Sequence, residues 1–217
     1  MKKKNMDIIL IIIGVGLVGW TLYSWLPVRN IKEPKYKLVK EASGYEIREY
    51  VTYIVAETTI SDAANGNDAA RKGFPIIAGY IFGGNTKKDK IAMTVPVNTQ
   101  ESTSEKIAMT VPVNTVEEAE RGVYKVSFVM PSQYTLETLP EPDDTRVKLR
   151  EVPAHKVAVQ KFSWTTSESA FKKHGAELLK ALTRDSVETV GAINAARYNT
   201  PWTIPFMLRN EVQIDVK

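Results

Sequence analysis

The sequence predicts an α+β fold, in which one curled antiparallel sheet of two similar halves packs against two helices, with a separate N-terminal transmembrane helix. Three observations predict it. Apolar residues alternate with polar ones over many short segments, as in strands with one buried face. Helical spacing occurs over Ala69–Phe82 and Thr166–Thr183, and an uncharged apolar run covers Ile8–Leu26. Each half runs through strands, one helix and further strands, which indicates internal pseudo-symmetry.

The N-terminal run has the length and composition of a membrane anchor. Residues 1–7 form a basic tip with Lys2, Lys3 and Lys4, and Ile8–Leu26 would span roughly 30 Å as a helix. Aromatic residues gather at its end, where an interfacial belt belongs: Trp20, Tyr23 and Trp25. No small-residue cleavage site follows. We therefore predict a retained signal anchor over residues 8–27 and a linker over residues 28–34.

Basic residues flank this anchor on both sides. The N-terminal lysines favour a cytoplasmic N-terminus. The other flank competes with Arg29, Lys32, Lys35, Lys37 and Lys40. We expect a single-pass membrane protein whose folded domain, residues 35–217, lies outside the cytoplasm.

Composition excludes several classes of site. The 217 residues include no cysteine and two histidines, which excludes disulfides and thiolate sites and leaves little for a histidine-based metal site. We therefore predict no metal site of the protein's own. Three of the 29 basic residues and one of the 25 acidic residues precede the linker, so the remainder has a net charge near neutrality. We expect no nucleic-acid partner.

The first helix carries the most informative pattern in the first half. Strands are predicted at Lys35–Lys40 and within Tyr45–Ile60, and Asn67 or Asp68 is predicted to cap the helix that follows. Its apolar stripe consists of Ala70, Phe74, Ile77 and Ile81, with Arg71, Ala78 and Phe82 beside it. Such a stripe is more often core than pocket. An arginine at its edge could nevertheless hold a carboxylate at the mouth of an apolar cleft.

A ten-residue segment follows the helix and then recurs. KIAMTVPVNT stands at Lys90–Thr99 and again at Lys106–Thr115, separated by the polar residues Gln100–Glu105. Apolar residues fall on every second position of each copy, which predicts two strands of one hairpin. Pro96 and Pro112 cannot donate to a ladder, which places each copy at an edge, bulge or rim. Such a hairpin either only fills the core or lines a ligand site.

The remaining elements follow from the same periodicities. Pro131–Thr145 reads as a connector, and Ser167 or Thr166 as the cap of the second helix. The predicted strands are Val123–Met130, Arg146–Val152, Lys156–Trp164, Ala192–Tyr198 and Asn210–Val216.

Several of these segments together resemble the SOUL/haem-binding protein family. They are Tyr45–Tyr50 (YEIREY), the FP…YIFGG segment from Phe74 to Gly84, the doubled IAMTVPV, Val123–Pro131 and Ala196–Val212. The resemblance covers roughly residues 35–217. It implies a distorted antiparallel barrel of two pseudo-repeats with two helices. It also implies non-covalent binding of haem or a related tetrapyrrole in an apolar groove beside the first helix.

The resemblance can be carried over residue by residue. Arg71 matches the arginine thought to face the haem propionates, and Phe74, Ile77 and Ala78 match apolar groove positions. The chain departs from the family pattern in two ways. Phe74 and Ala78 stand where a well-known animal member has methionines, and Gly79 stands where it has a lysine.

The sequence offers few residues that could coordinate iron or catalyse a reaction. His174, at the inner edge of the second helix, is a weak axial candidate, since a lone histidine there is more often structural. No nucleophile elbow, HExxH, P-loop or GxGxxG occurs. We expect a non-enzymatic, membrane-anchored protein that binds haem or another tetrapyrrole for carriage, buffering or sensing. Two alternatives stay open: a tetrapyrrole-modifying enzyme, for example one that removes the metal, and a membrane-tethered protein-interaction module.

Overall fold

A computed structural model describes residues 2–25, 33–88, 90–101, 122–200 and 202–217. Its helices are α1 (Lys2–Trp25), α2 (Gly66–Ile81) and α3 (Glu168–Arg184), with a short 3₁₀ turn at Pro205–Met207. Its strands are β1 (Tyr36–Ala42), β2 (Tyr45–Tyr50), β3 (Tyr53–Ile60), β4 (Val97–Glu101), β5 (Tyr124–Val129), β6 (Lys148–Val152), β7 (His155–Phe162), β8 (Thr189–Arg197) and β9 (Asn210–Val216).

All nine strands form one antiparallel sheet in the order β1-β2-β7-β9-β8-β4-β5-β3-β6. The predicted α+β class with a large curled antiparallel sheet is therefore confirmed. Two similar units, β3-β5-β4 and β7-β9-β8, meet where β4 pairs with β8. Among the described strands, β1 and β6 are the two edges of the sheet and do not pair with each other. The prediction of a closed barrel, which the resemblance implied, is therefore wrong. The sheet curls without joining its two ends.

Both α2 and α3 pack on the same face of this sheet. α2 covers β3, β4 and β5, and α3 covers β7, β8 and β9. Two apolar clusters fill the space beneath them, one centred on Val126 and Phe128 and one on Leu178 and Val212. The core is thus split between the two units, with one helix over each.

The helix caps were predicted correctly for one helix and wrongly for the other. Ser167 caps α3 as predicted, accepting a hydrogen bond from the Ala170 amide at 3.3 Å. For α2 the predicted cap was wrong. The helix begins earlier, where Asn65 Oδ1 accepts from the Asp68 amide at 3.0 Å. Asn67 instead holds the neighbouring segment, donating to the Thr166 carbonyl at 3.0 Å.

The first copy of the repeated segment forms a strand only from Val97 onward. This strand, β4, is paired on both sides, with β5 and β8, so it is a central strand. Ile91 is buried in the first apolar cluster at the end of α2, where its amide donates to the Ile81 carbonyl at 2.8 Å. The second copy, residues 106–115, lies outside the described residues.

The predicted transmembrane segment is helical, as α1, yet the structure does not support it as a span. In the part of the chain that is described, no helix combines the length and apolar character needed to cross a membrane. The end of α1 contacts the folded domain. Trp20 Nε1 donates to the Trp202 carbonyl at 3.0 Å, and Ser24 Oγ accepts from the Ile204 amide at 3.1 Å. Most of the predicted linker lies outside the described residues.

A buried ionic network links β2 to β9 across β7. The guanidinium of Arg48 donates two bonds of 2.9 Å to the Glu211 carboxylate, and neither side chain is exposed. Tyr198 Oη and Arg209 Nη2 also donate to Glu211, at 2.7 and 2.9 Å. Burial alone raises the pKa of Glu211, but the bonds and charges of Arg48 and Arg209 outweigh it and leave that pKa lowered. Glu211 is therefore an anion held by two cations.

Replacing Glu211 by Gln removes the buried counter-charge of Arg48 and Arg209, which keep only the partly exposed Glu46 and Glu33. We expect the free energy of unfolding to fall by about 3–5 kcal/mol, measured by urea denaturation at neutral pH. Glu188→Gln, at an exposed pair with Lys217, is the matched control and should change little.

The pH dependence of stability checks the same pair. The folded-state pKa of Glu211 is lowered, so its contribution is present above the unfolded value of about 4.3 and is lost as pH falls through the folded value. The wild type should lose this increment on acidification, whereas Glu211→Gln should not. Equal acid sensitivity in the two proteins would contradict the assignment.

Candidate functional site

The seat of α2 on the sheet decides which of its side chains face outward. Gly73 lies against Val126 on β5, where a Cβ atom would come within 2.7 Å of the valine Cγ2. Ile77 and Ile81 are fully buried on the same side. The helix therefore presents its opposite side, from Arg71 to Phe82, to solvent.

The four predicted groove residues do not share one environment. The Arg71 side chain is 76% exposed and pairs with Asp68 one turn earlier. Phe74 is 40% exposed, with its ring centroid 5.4 Å from that of the buried Phe128. Ala78 retains 8% exposure, whereas Ile77 retains none and belongs to the first apolar cluster. Three of the four thus border the outer surface, and Ile77 supports them from beneath.

Apolar side chains form a stripe along the outer flank of α2. Phe74, Ala78 and Phe82 follow one another at intervals of four residues, so they lie one above the other. The small, buried Ala78 comes between two exposed rings, since Phe82 is 58% exposed. We call the set Arg71, Phe74, Ala78 and Phe82 the α2 trough. Phe82 was not among the predicted site residues, although its spacing from Ala78 carried the signal.

Two opposite charges, Asp68 and Arg71, pair at one end of the α2 trough. The amide of Ala64 and the guanidinium of Arg71 hold the pKa of Asp68 down at about 2. Asp68 is therefore anionic at neutral pH and keeps Arg71 near the helix. Because both groups are close to water, an incoming carboxylate can exchange with Asp68 at small cost.

A larger depression, of about 620 Å³, lies on the opposite flank of α2. Its walls include the apolar residues Ile60, Pro75 and Ile76, together with two cations and three carboxylates: Lys72, Arg146, Asp62, Asp143 and Asp144. The cations are paired, Lys72 with Asp62 at 3.0 Å and Arg146 with Asp144 at 2.6 Å. The third carboxylate, Asp143, pairs with Lys88 at 2.6 Å, so a propionate entering the depression would have to break an existing ion pair.

Comparison with known proteins identifies the family. The family model described as "SOUL heme-binding protein" matches residues 31–105 and 98–215. The chain belongs to this SOUL family. The two matches overlap at the repeated segment and together cover the whole folded domain. No curated protein matches the sequence at a significant level.

Solved structures share the fold of this SOUL domain at low sequence identity. The C-terminal domain of EcmrR is 11% identical, with a TM-score of 0.56 over 84% of this chain and 98% of that one. An uncharacterized conserved protein from Listeria innocua is 11% identical, with a TM-score of 0.54 over 86% and 93%. A Listeria innocua protein described as a hydrolase is 11% identical, with a TM-score of 0.53 over 85% and 94%. At this identity the likeness concerns the fold alone.

The structure does not bring His174 to the α2 trough. Its Nδ1 lies 2.9 Å from Glu177 Oε2 and 3.2 Å from Gln160 Nε2, and its ring stacks on Phe162 at 4.3 Å. These contacts belong to the unit under α3, whereas the trough lies on the unit under α2. Among the residues described, no group of three or more potential metal ligands comes together.

Substitutions of two glycines in α2 test how closely the helix packs on the sheet. A Cβ at Gly79 meets nothing within 4 Å, so Gly79→Ala should stabilise the protein by up to about 1 kcal/mol through helix propensity. Gly73→Ala gains the same propensity but drives a methyl group into Val126, so we expect a net loss of about 1–3 kcal/mol. Urea unfolding measures both. Equal stabilisation by the two changes would contradict the close seat on β5.

Proposed function

We propose that the SOUL domain binds haem or a related tetrapyrrole non-covalently, with the face of the macrocycle laid across the α2 trough. Membership of a family described as heme-binding supports the ligand class. One observation supports the place: the small Ala78 comes between the exposed rings of Phe74 and Phe82 on one stripe of α2. A flat apolar ligand can cover all three side chains at once.

The residues of the α2 trough fit the chemistry of such a ligand. Burying the two exposed phenyl faces removes apolar surface from water, which favours binding by about 25 cal/mol per Å². Arg71 can take a propionate in place of Asp68, forming a charge-assisted pair.

The depression on the opposite flank is larger but chemically less suitable. A tetrapyrrole with two propionates would bring negative charge to Asp62, Asp143 and Asp144. Lys72 and Arg146 already neutralise two of these carboxylates, and the third pairs with Lys88 at 2.6 Å. We therefore assign the ligand to the α2 trough by charge rather than by volume.

Haem, when bound, supplies its iron as the reactive centre, and the protein supplies the surface. Neither described histidine lies on α2, since His155 is on β7 and His174 on α3. We propose that contact with the porphyrin, rather than a bond to iron, carries the affinity. Carriage or buffering fits a shallow site of this kind.

Titration of hemin into the full-length protein, followed by the Soret band, tests this proposal. We expect saturable one-to-one binding. Phe82→Asp should weaken it about tenfold or more, since it removes apolar contact and adds negative charge. Arg71→Ala should weaken it a few-fold, as befits an exposed ion pair.

Two matched variants serve as controls. Arg146→Ala removes a cation from the opposite flank, and Phe206→Asp alters another exposed ring; both should bind as the wild type does. Weakening by Arg146→Ala but not by Arg71→Ala would move the ligand to the opposite depression. Released iron or a changed chromophore during the incubation would favour the enzymatic alternative over our proposal of a non-enzymatic binding protein.

We also propose that α1 attaches the protein to a membrane, with the SOUL domain outside the cytoplasm. The support is the uncharged run Ile8–Leu26 and the exposure of its side chains, since Ile9, Ile11 and Val15 are each more than half exposed. An apolar surface of this extent is unusual on a helix in water. The contact between Trp20 and Trp202 adds a further exposed ring at the same place.

Carbonate extraction of membranes tests the attachment. The wild type should stay with the membrane pellet. The double change Ile11→Lys and Val15→Lys should release the protein, because each lysine costs about 3 kcal/mol in the middle of an apolar segment. Leucine at the same two positions should leave it in the pellet. Release of the wild type by carbonate would contradict the proposal, and digestion of the domain by protease added to the cytoplasmic side would contradict its orientation.

A further inference from the structure

The face of the sheet that carries no helix holds a polar cavity of about 180 Å³. Strand register explains its composition. Lys125 on β5 lies opposite Gln100 on β4, which lies opposite Asn194 on β8, which lies opposite Gln213 on β9. Directly paired residues point to the same side of a sheet. Four polar side chains therefore form one row across the open face.

The hydrogen bonds of this row fix the orientation of its amides. Gln213 Nε2 donates to the Glu211 carboxylate at 2.8 Å, so Gln213 Oε1 must face the other way. Asn194 Nδ2 donates to that oxygen at 3.2 Å and to Asn98 Oδ1 at 3.1 Å. Turning either amide would set oxygen against oxygen. The buried network around Glu211 thus dictates which atom of Asn194 is left over.

The atom left over is Asn194 Oδ1. It is buried and has no hydrogen-bond partner among the described residues. An unpaired buried acceptor is destabilising unless something donates to it. Gln100 presents a second acceptor beside it, because Gln100 Nε2 is used on the Ala192 carbonyl at 2.9 Å. The middle of the cavity therefore calls for an N–H or O–H donor.

A cation lies at the β5 end of the row. Lys125 is exposed and forms no ion pair with any described residue. Its backbone is two strand spacings, or about 10 Å, from that of Asn194, and its side chain can reach back along the row. Arg150 on β6 is farther away, since it lies opposite Val55 and is paired with Glu57 at 2.9 Å. An anionic group can therefore bind at Lys125.

We propose that this cavity binds a small zwitterion of the free α-amino acid class. The carboxylate of the ligand pairs with Lys125, and its ammonium group donates to Asn194 Oδ1 and Gln100 Oε1. A cavity of about 180 Å³ suits a molecule of this size. The site lies on the face opposite α2 and is independent of the function proposed for the α2 trough.

Isothermal titration calorimetry of the full-length protein with each of the common amino acids tests the proposal. At least one should bind saturably below about 10 mM. The carboxylic acid that lacks its amine, and the amine that lacks its carboxylate, should each bind about tenfold more weakly or not at all. Lys125→Met should weaken binding by about tenfold without affecting the fold, because the side chain is exposed.

Further variants separate this site from the rest of the molecule. Lys156→Met removes a cation from β7 that points to the other face and should bind as the wild type does. Asn194→Thr should weaken binding by removing the acceptor. Lys125→Met should leave hemin binding unchanged. The proposal is overturned if no amino acid binds, or if Lys125→Met and Lys156→Met bind equally well.

Discussion

The pleat of the sheet is the constraint on which the rest of the molecule depends. Along β5, Val126 and Phe128 point to the helices, while Lys125 and Ser127 point to the open face. Both α2 and α3 cover the first face, so apolar side chains are sealed there and polar ones accumulate on the other. One alternation thus creates two surfaces of different chemistry: an apolar flank on a helix and a small polar cavity on the sheet. A tetrapyrrole and a zwitterion can be assigned separately because no residue serves both surfaces.

The proposed tetrapyrrole surface exists because of how closely α2 approaches β5. Because Gly73 has no side chain, the helix packs closely against Val126. In this orientation Ile77 is buried, whereas Phe74 and Ala78 lie at the edge of the packed side. A helix held farther out would bring Ile77 toward solvent. The buried Arg48–Glu211 pair plays the corresponding part on the other face, since it orients Gln213 and thereby leaves one oxygen of Asn194 unsatisfied. In both cases a packing or charge constraint below the surface selects what the surface offers.

The sequence was sufficient for elements whose periodicity reflects burial directly. β9 was predicted at its observed bounds because apolar and polar residues alternate along it, and α3 with its Ser167 cap because one stripe of the helix packs on the sheet. Periodicity predicted a strand at Ile91, but this residue lies outside the strands and is buried at the end of α2, where its amide donates to the Ile81 carbonyl. It also could not separate Ile77 from Phe74, since a wide helical stripe includes both the buried centre and the exposed edge. The polar cavity was beyond prediction, because it depends on the register of β5, β4, β8 and β9, which local patterns do not specify.

The most direct test of the central claim is the chemical shift of the Ala78 methyl group when zinc protoporphyrin, a diamagnetic tetrapyrrole, is added to alanine-methyl-labelled protein. A macrocycle lying across the α2 trough places this methyl group under the ring, so its proton resonance should move strongly upfield. Ala192, which lines the cavity on the open face, should not move. A shift confined to other alanines, with Ala78 unchanged at saturation, would contradict the account.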